Sequence, residues 1–73
     1  MSNELYLIRD KCLESRISSL IQKYDFQLCY NTKSEQVLKS ENMLLLIKKK
    51  YAFLRFMGDD KYLKSEIWMH LGA

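Results

Sequence analysis

The sequence predicts an all-α fold, a small bundle of three to four helices with a long central helix. Proline is absent, and glycine occurs only at Gly58 and Gly72, so residues that favour turns are scarce. Valine and threonine occur once each beside five isoleucines, and an all-β protein needs more β-branched side chains. Leucine, lysine, glutamate and methionine, which favour helices, are abundant. Composition therefore favours helices throughout.

The length predicts one domain, residues 1–73. A chain of this size is near the lower limit for a self-sufficient hydrophobic core. Small cores often gain stability by self-association or by binding a partner. We therefore expect a single helical domain that works with a protein partner or with a second copy of itself.

The first predicted helical segment covers about residues 3–24, with Ser2 as a candidate N-cap. Its apolar residues fall on two faces of a helix. These are Leu5, Ile8 and Cys12 on one face, and Leu13, Ile17, Leu20, Ile21 and Tyr24 on the other. The offset between the faces fits one long helix or two short helices broken near Glu14. Residues 25–31 are predicted to connect this segment to the next.

The second segment is the predicted central helix. Thr32 followed by Glu35 has the spacing of a capping box, in which the hydroxyl and the carboxylate each bind the other residue's amide. No helix breaker follows until Gly58, which suits the position after the helix. Apolar and small residues then recur at alternating spacings of three and four, which predicts a heptad seam. The seam consists of Val37, Ser40, Leu44, Ile47, Tyr51 and Leu54.

The third segment, "KYLKSEIWMHL" at residues 61–71, is predicted to be the last helix. Asp59 or Asp60 can cap its beginning, and Gly72 is suited to end it.

Sequence motifs for catalysis are lacking. The chain has no glycine-rich phosphate loop, no nucleophile elbow, no zinc-protease motif and no calcium loop. Two cysteines, Cys12 and Cys29, with the single histidine His70 are too few for a structural zinc site in one chain, and we expect both thiols to be free and buried. We predict a protein that is not an enzyme, with no catalytic residue, cofactor or metal. The longest apolar run, residues 43–47, is far below the roughly 20 residues that span a bilayer, so we expect a cytoplasmic protein.

Two groups of residues are candidates for binding. Lys48, Lys49, Lys50 and Arg55 lie among aromatic residues and could contact nucleic-acid phosphates or an acidic partner. The alternative is a solvated helix face on which lysine stems cover apolar neighbours. The candidate protein interface consists of Leu44, Ile47, Tyr51, Leu54 and Trp68. Trp68 either anchors the last helix in the core or is a binding hot spot.

Four short motifs occur in order along the chain: "YLIRDKC" (residues 6–12), "SLIQKYDFQL" (residues 19–28), the capping box at Thr32, and "LKSEIWMHL" (residues 63–71). Together they resemble the Hha/YmoA family of small bacterial regulators. The family's Ala-Asp-His-Arg run is replaced here by "SENMLLLI" (residues 40–47). The resemblance implies a four-helix, non-enzymatic protein that binds the oligomerisation domain of the nucleoid protein H-NS and modulates gene silencing.

Residues 46–67, "LIKKKYAFLRFMGDDKYLKSEI", are similar to the end of the recognition helix, the wing and the closing segment of excisionase-like winged-helix proteins. This second resemblance implies DNA binding, with the three lysines at the groove and "RFMGDDKYL" (residues 55–63) as the hairpin.

We therefore expect a small regulatory protein of bacterial or phage gene expression that acts by binding another protein. The alternatives are an excisionase-like DNA-binding protein and a helical-hairpin dimer adaptor with the heptad seam as its interface.

Overall fold

The computed structural model describes residues 3–71 and shows a five-stranded antiparallel sheet with two helices. The elements, in chain order, are β1 (Glu4–Ile8), α1 (Lys11–Lys23), β2 (Gln27–Asn31), β3 (Glu35–Lys39), β4 (Met43–Lys48), β5 (Tyr51–Phe56) and α2 (Lys61–Leu71). The predicted all-α fold is therefore wrong, and with it the four-helix arrangement that the first resemblance implies.

The strand order across the sheet is β1-β5-β4-β3-β2, and every neighbouring pair is antiparallel. The first strand therefore pairs with the last, and β2 forms the opposite edge. Both helices pack on one face of the sheet and form a single core with it. The core residues are Leu5, Leu13, Ile17, Leu20, Phe26, Leu38, Met43, Leu45, Ile47, Ala52, Leu54, Phe56, Ile67 and Leu71.

The predicted central helix is replaced by three strands, β3, β4 and β5. In β4, Met43, Leu45 and Ile47 are buried while the residues between them are only half-buried. An interior strand that has apolar residues on both faces reads as a continuous apolar run, which periodicity alone does not separate from a helix. Helix propensity is a weak preference that tertiary packing overrides.

The capping box at Thr32 closes a turn instead of a helix. The Thr32 hydroxyl oxygen accepts a hydrogen bond from the Glu35 amide at 3.2 Å, as a capping box requires. However, the Thr32 amide donates to the Glu35 carbonyl at 2.9 Å, so the two residues face each other across the β2–β3 connection. The Glu35 carboxylate lies 3.7 Å from Lys48 Nζ instead of binding the Thr32 amide.

The two hairpins that replace the central helix turn without glycine. Ser40 donates its amide to the Met43 carbonyl at 2.9 Å, which leaves Glu41 and Asn42 at the tip of the β3–β4 connection. Only Lys49 and Lys50 separate β4 from β5. Within residues 3–71, Asp25 alone among non-glycine residues has a positive φ, 54°. These turns therefore lack the glycine or asparagine-glycine signal that marks many hairpins.

The first segment contains both a strand and a helix. Residues 4–8 form β1, and α1 begins after Asp10, whose carboxylate accepts the Leu13 amide at 2.8 Å as an N-cap. The predicted connection at residues 25–31 contains β2. The predicted cap Ser2 lies outside the described residues.

The last helix is confirmed at Lys61–Leu71. Asp60 caps it, because its carboxylate accepts the amides of Tyr62 and Leu63 at 3.0 and 3.1 Å. Gly58 lies in the loop before this helix instead of ending an earlier one, and Gly72 lies outside the described residues. Over residues 3–71, neither helix has the length and apolar character needed to span a membrane.

Candidate nucleic-acid interface

The face of the sheet opposite the helices is not covered by any described element, and we call it the open face. Alternate residues of each strand point to it, because successive side chains of a strand point to opposite faces. The register places on it Glu4, Tyr6, Ile8, Gln27, Tyr30, Glu35, Val37, Lys39, Leu44, Leu46, Lys48, Tyr51, Phe53 and Arg55. Antiparallel sheets commonly have one packed face and one polar face. Here the second face has many apolar and aromatic residues.

One row of side chains crosses all five strands at the centre of the open face. Cross-strand pairing aligns Tyr6, Phe53, Leu46, Val37 and Tyr30, and we call this the aromatic row. With strands about 4.8 Å apart, the row is about 19 Å long. The ring centroids of Tyr6 and Phe53 lie 4.7 Å apart with their planes tilted by 45°. Tyr6 is 73% exposed, so one side of this ring pair is available to a ligand.

Basic side chains lie on both sides of the aromatic row. Arg55 and Lys39 belong to the next row on one side, and Lys48 belongs to the next row on the other. Each of these rows is about 7 Å from the aromatic row, the rise of two strand residues. Lys49 and Lys50 extend the basic border into the exposed β4–β5 turn. The open face thus has an apolar centre between two basic borders.

Acidic partners on the open face engage two of these cations only weakly. Arg55 lies 3.4 Å from the Glu4 carboxylate, and Lys48 lies 3.7 Å from that of Glu35. Ion pairs between partly exposed side chains contribute about 0–1 kcal/mol, so a phosphate can compete for the cation. The Arg55 guanidinium also lies 5.6 Å from the centre of the Phe53 ring. Cation–π contact places positive charge directly beside the aromatic row.

The structure separates the predicted binding residues into three groups. Lys48, Arg55, Leu44 and Tyr51 lie together on the open face, and Lys49 and Lys50 lie in the turn at its end. Ile47 and Leu54 are instead buried in the core beneath the helices. Trp68 is half-buried on α2 and packs against that core. The heptad seam is therefore divided between the two faces of the sheet.

Sequence reasoning missed Tyr6 and Tyr30, the two ends of the aromatic row. For Tyr6 the local signal is weak, because "ELYLI" has four apolar or aromatic residues in a row and does not show the alternation of exposed and less exposed positions that β1 has in the structure. For Tyr30 the signal is weaker, because the register of β2 shifts between Leu28 and Tyr30. That bulge changes the face to which the following side chains point.

Other titratable groups lie away from the open face. Burial, with the Glu66 carboxylate beside it, raises the pKa of Tyr24 to about 12. The Lys23 ammonium, 3.1 Å from the Glu66 carboxylate, lowers the pKa of that group. Both groups belong to the helix side. Cys12 and Cys29 are free but exposed, contrary to the expected burial, and residues 3–71 contain no group of acidic, cysteine or histidine side chains that could hold a metal ion.

Comparison of the chain with protein-family models, with curated proteins and with solved structures finds no match.

Proposed function

We propose that the protein binds single-stranded nucleic acid on the open face and has no catalytic activity. The observation that supports this most directly is the aromatic row with its two basic borders. Bases of a single strand stack on aromatic side chains, and each stacked base contributes about 1–3 kcal/mol. Sheet surfaces that bind RNA in this way stack two or three bases. Tyr6, Phe53 and Tyr30 are the rings that would receive them.

The charge on this surface complements a strand whose bases lie along the row. Phosphates would then reach Lys39 and Arg55 on one border, and Lys48 with the turn lysines on the other. The net charge of the chain, +3, also attracts a polyanion. Stacking and phosphate contacts carry little sequence information. The proposed binding is therefore tolerant of sequence and sensitive to salt.

A protein partner is the second candidate. The observation in its favour is aliphatic: Ile8, Leu46 and Val37 add surface on the open face that offers no ring for stacking. Tyrosine and arginine are also enriched in protein hot spots. The H-NS-like regulator that the first resemblance implies is such a partner. The cytoplasmic location stays a prediction of the sequence.

The test compares two exposed tyrosines. Tyr6→Ala removes a ring of the aromatic row, whereas Tyr62→Ala removes an 89% exposed ring on α2. We expect Tyr6→Ala to weaken binding of a labelled oligothymidylate or oligouridylate roughly 5- to 150-fold in fluorescence anisotropy, the equivalent of one lost stacked base. Tyr62→Ala should bind like the wild-type chain.

Salt dependence provides a second measurement. Each phosphate contact contributes about −0.7 to the slope of log affinity against log salt for a single strand. Lys39→Gln should therefore make the slope shallower. Equal affinities of the two tyrosine variants would overturn the proposal. So would a wild-type chain that binds no oligonucleotide at low salt, and the protein partner would then be the better candidate.

A further inference from the structure

A second candidate site, separate from the centre of the open face, is a cleft at one end of the sheet. This cleft of about 260 Å³ opens where β1, β2 and β4 end and the β2–β3 and β4–β5 connections begin. The antiparallel strand order brings these three strand ends to the same side of the molecule. We call it the basic cleft, and the side chains that matter here are Arg9, Thr32, Lys33, Ser34, Lys48 and Lys49.

Positive charge dominates the lining of the basic cleft. Its cations are Arg9, Lys33, Lys48 and Lys49, while Glu35 is the only carboxylate that lines it in the described part of the chain. No ion pair joins Lys33 or Lys49 to any residue between 3 and 71. A concave surface lined by one sign of charge concentrates ions of the opposite sign. The basic cleft therefore favours an anion.

Arg9 is held in position before any ligand arrives. Its Nε donates to the Glu14 carboxylate at 2.6 Å, and its Nη1 donates to the Lys48 carbonyl at 2.5 Å. These contacts fix the guanidinium between α1 and β4. Its Nη2 pairs with the same Glu14 carboxylate. Of the five N–H donors of a guanidinium, two therefore remain for a ligand. Fixing the side chain in advance lowers the entropy cost of binding.

The β2–β3 turn supplies hydroxyl groups on a fixed backbone. Thr32 Oγ1 accepts the amides of Ser34 and Glu35 at 3.3 and 3.2 Å, and it lies 3.3 Å from the Ser34 hydroxyl oxygen. These hydrogen bonds hold both hydroxyl groups at the edge of the cleft. The Thr32 hydroxyl donates its own hydrogen to the Glu35 carbonyl at 3.3 Å. The Ser34 hydroxyl is therefore the one that can donate its hydrogen to an anionic oxygen.

We propose that the basic cleft binds a phosphate monoester dianion. The volume is below the roughly 300–1,000 Å³ of pockets for drug-sized ligands, which suits a small anion or the end of a longer molecule. Guanidinium and ammonium groups beside a hydroxyl donor are suited to phosphate oxygens. The ligand is either a free monoester, such as a mononucleotide, or the terminal phosphate of a strand bound on the open face. Lys48 lies at both sites, but the basic cleft does not depend on the aromatic row.

The first test uses inorganic phosphate alone and the folded full chain. At constant ionic strength, phosphate should cause saturable shifts of the amide signals of residues 32–35 and 48–49 in NMR spectra, and chloride should not. The double variant Lys33→Gln and Lys49→Gln should bind roughly tenfold more weakly, because two charge-assisted contacts are lost. The matched control, Lys23→Gln with Lys61→Gln, removes the same charge at the other end of the molecule from the basic cleft, where α1 ends and α2 begins. This control should bind like wild type.

A second test separates the two sources of the phosphate. If the strand end is the ligand, oligothymidylate with a 5′- or 3′-terminal phosphate should bind more tightly than the unphosphorylated oligomer, and the cleft variant should lose that advantage. If a free monoester is the ligand, a mononucleotide should shift the cleft amides while the terminal phosphate gives no advantage. Shifts that never saturate, that chloride reproduces, or that both double variants lose equally would overturn the proposal. An unphosphorylated oligomer that fails to bind would count against the open face and leave this result unaffected.

Discussion

The two faces of the sheet differ in how deeply they bury side chains of the same strands. On the covered face, Leu45 and Leu54 pack under both helices and are excluded from water. On the open face, their neighbours Leu46 and Phe53 lie half-buried in the aromatic row. If the open face served only to contact water, polar residues there would suffice. The open face has aromatic and aliphatic residues instead, and the proposed binding rests on them.

The largest expected effect comes from truncating adjacent leucines of β4. Leu45 is 1% exposed in the core, and Leu46 is half-buried on the open face. We expect Leu45→Ala to lower the free energy of unfolding by about 2–5 kcal/mol, because it removes a packed side chain and leaves a cavity. Leu46→Ala should cost about 1 kcal/mol, because much of its side chain is already in contact with water. Urea denaturation measures both values.

The same pair also tests which face binds. Leu46→Ala changes the aromatic row, so it should weaken oligonucleotide binding, whereas Leu45→Ala should leave affinity unchanged at temperatures where it stays folded. Equal losses of stability in the two variants would mean that the open face is covered in solution, as by a second copy of the chain.

The contrast between the faces explains why the sequence pattern predicts the wrong fold. β4 is interior and apolar on both faces, so "MLLLIK" offers no alternation to indicate a strand. β5 does alternate, since Ala52, Leu54 and Phe56 are buried and the residues between them are not. However, Leu44, Ile47, Tyr51 and Leu54 also fit a heptad, which predicts a helix. The last helix and its Asp60 cap were predictable because local signals decide them.

The hairpin turns explain the remaining error. A break between Lys48 and Tyr51 is formed by two lysines with ordinary backbone angles, and lysine is no turn signal. Lys48 and Arg55 lie on the open face, on opposite sides of the aromatic row, and their part in binding stays a prediction of the sequence. Tyr6 and Tyr30 join that surface only through long-range pairing, which no local pattern reveals.

The two faces also differ in how deeply their charged side chains are buried and how they are paired. On the covered side, Lys64 is buried at 4% exposure, and its Nζ donates to the Asp59 carboxylate at 2.8 Å and to the Asn3 side-chain oxygen. Asp59 itself is 84% exposed. Burying a cation is costly unless it is paired and hydrogen-bonded. This contact therefore satisfies a charge that packing has taken out of water.

Lowering the pH should weaken this contact, and we expect a change in the free energy of unfolding between the largest and the smallest predicted effects. The hydrogen bond from Lys64 holds the pKa of Asp59 below its ordinary 3.8. A carboxyl group whose pKa is lower in the folded state contributes stability above its unfolded pKa and loses it as the pH falls through the folded value. We expect the wild-type chain to lose more stability than Asp59→Asn as the pH falls from about 5 to about 2.5.

Urea unfolding midpoints at several pH values measure this difference. Lys64→Met removes the same ion pair and should flatten the acid profile in the same way. Glu41→Gln, a matched change at an exposed turn carboxylate, should keep the wild-type profile. If the wild-type chain, Asp59→Asn and Lys64→Met lost the same stability as the pH falls, that result would contradict the role assigned to Lys64.

The smallest expected effect on stability belongs to the ion pair between Lys48 and Glu35 on the open face. Its partners are 3.7 Å apart and partly exposed, so Glu35→Gln should change the free energy of unfolding by only about 0–1 kcal/mol. Binding should respond more than stability, because the variant frees Lys48 and removes the only carboxylate that lines the basic cleft in the described residues. We expect tighter oligonucleotide binding at low salt and a salt slope steeper by up to about 0.7, the contribution of one phosphate contact. Glu41→Gln makes the same charge change at the opposite end of the sheet and should raise affinity less. If the two variants bind equally, net charge alone governs affinity, and Lys48 is not a specific phosphate contact.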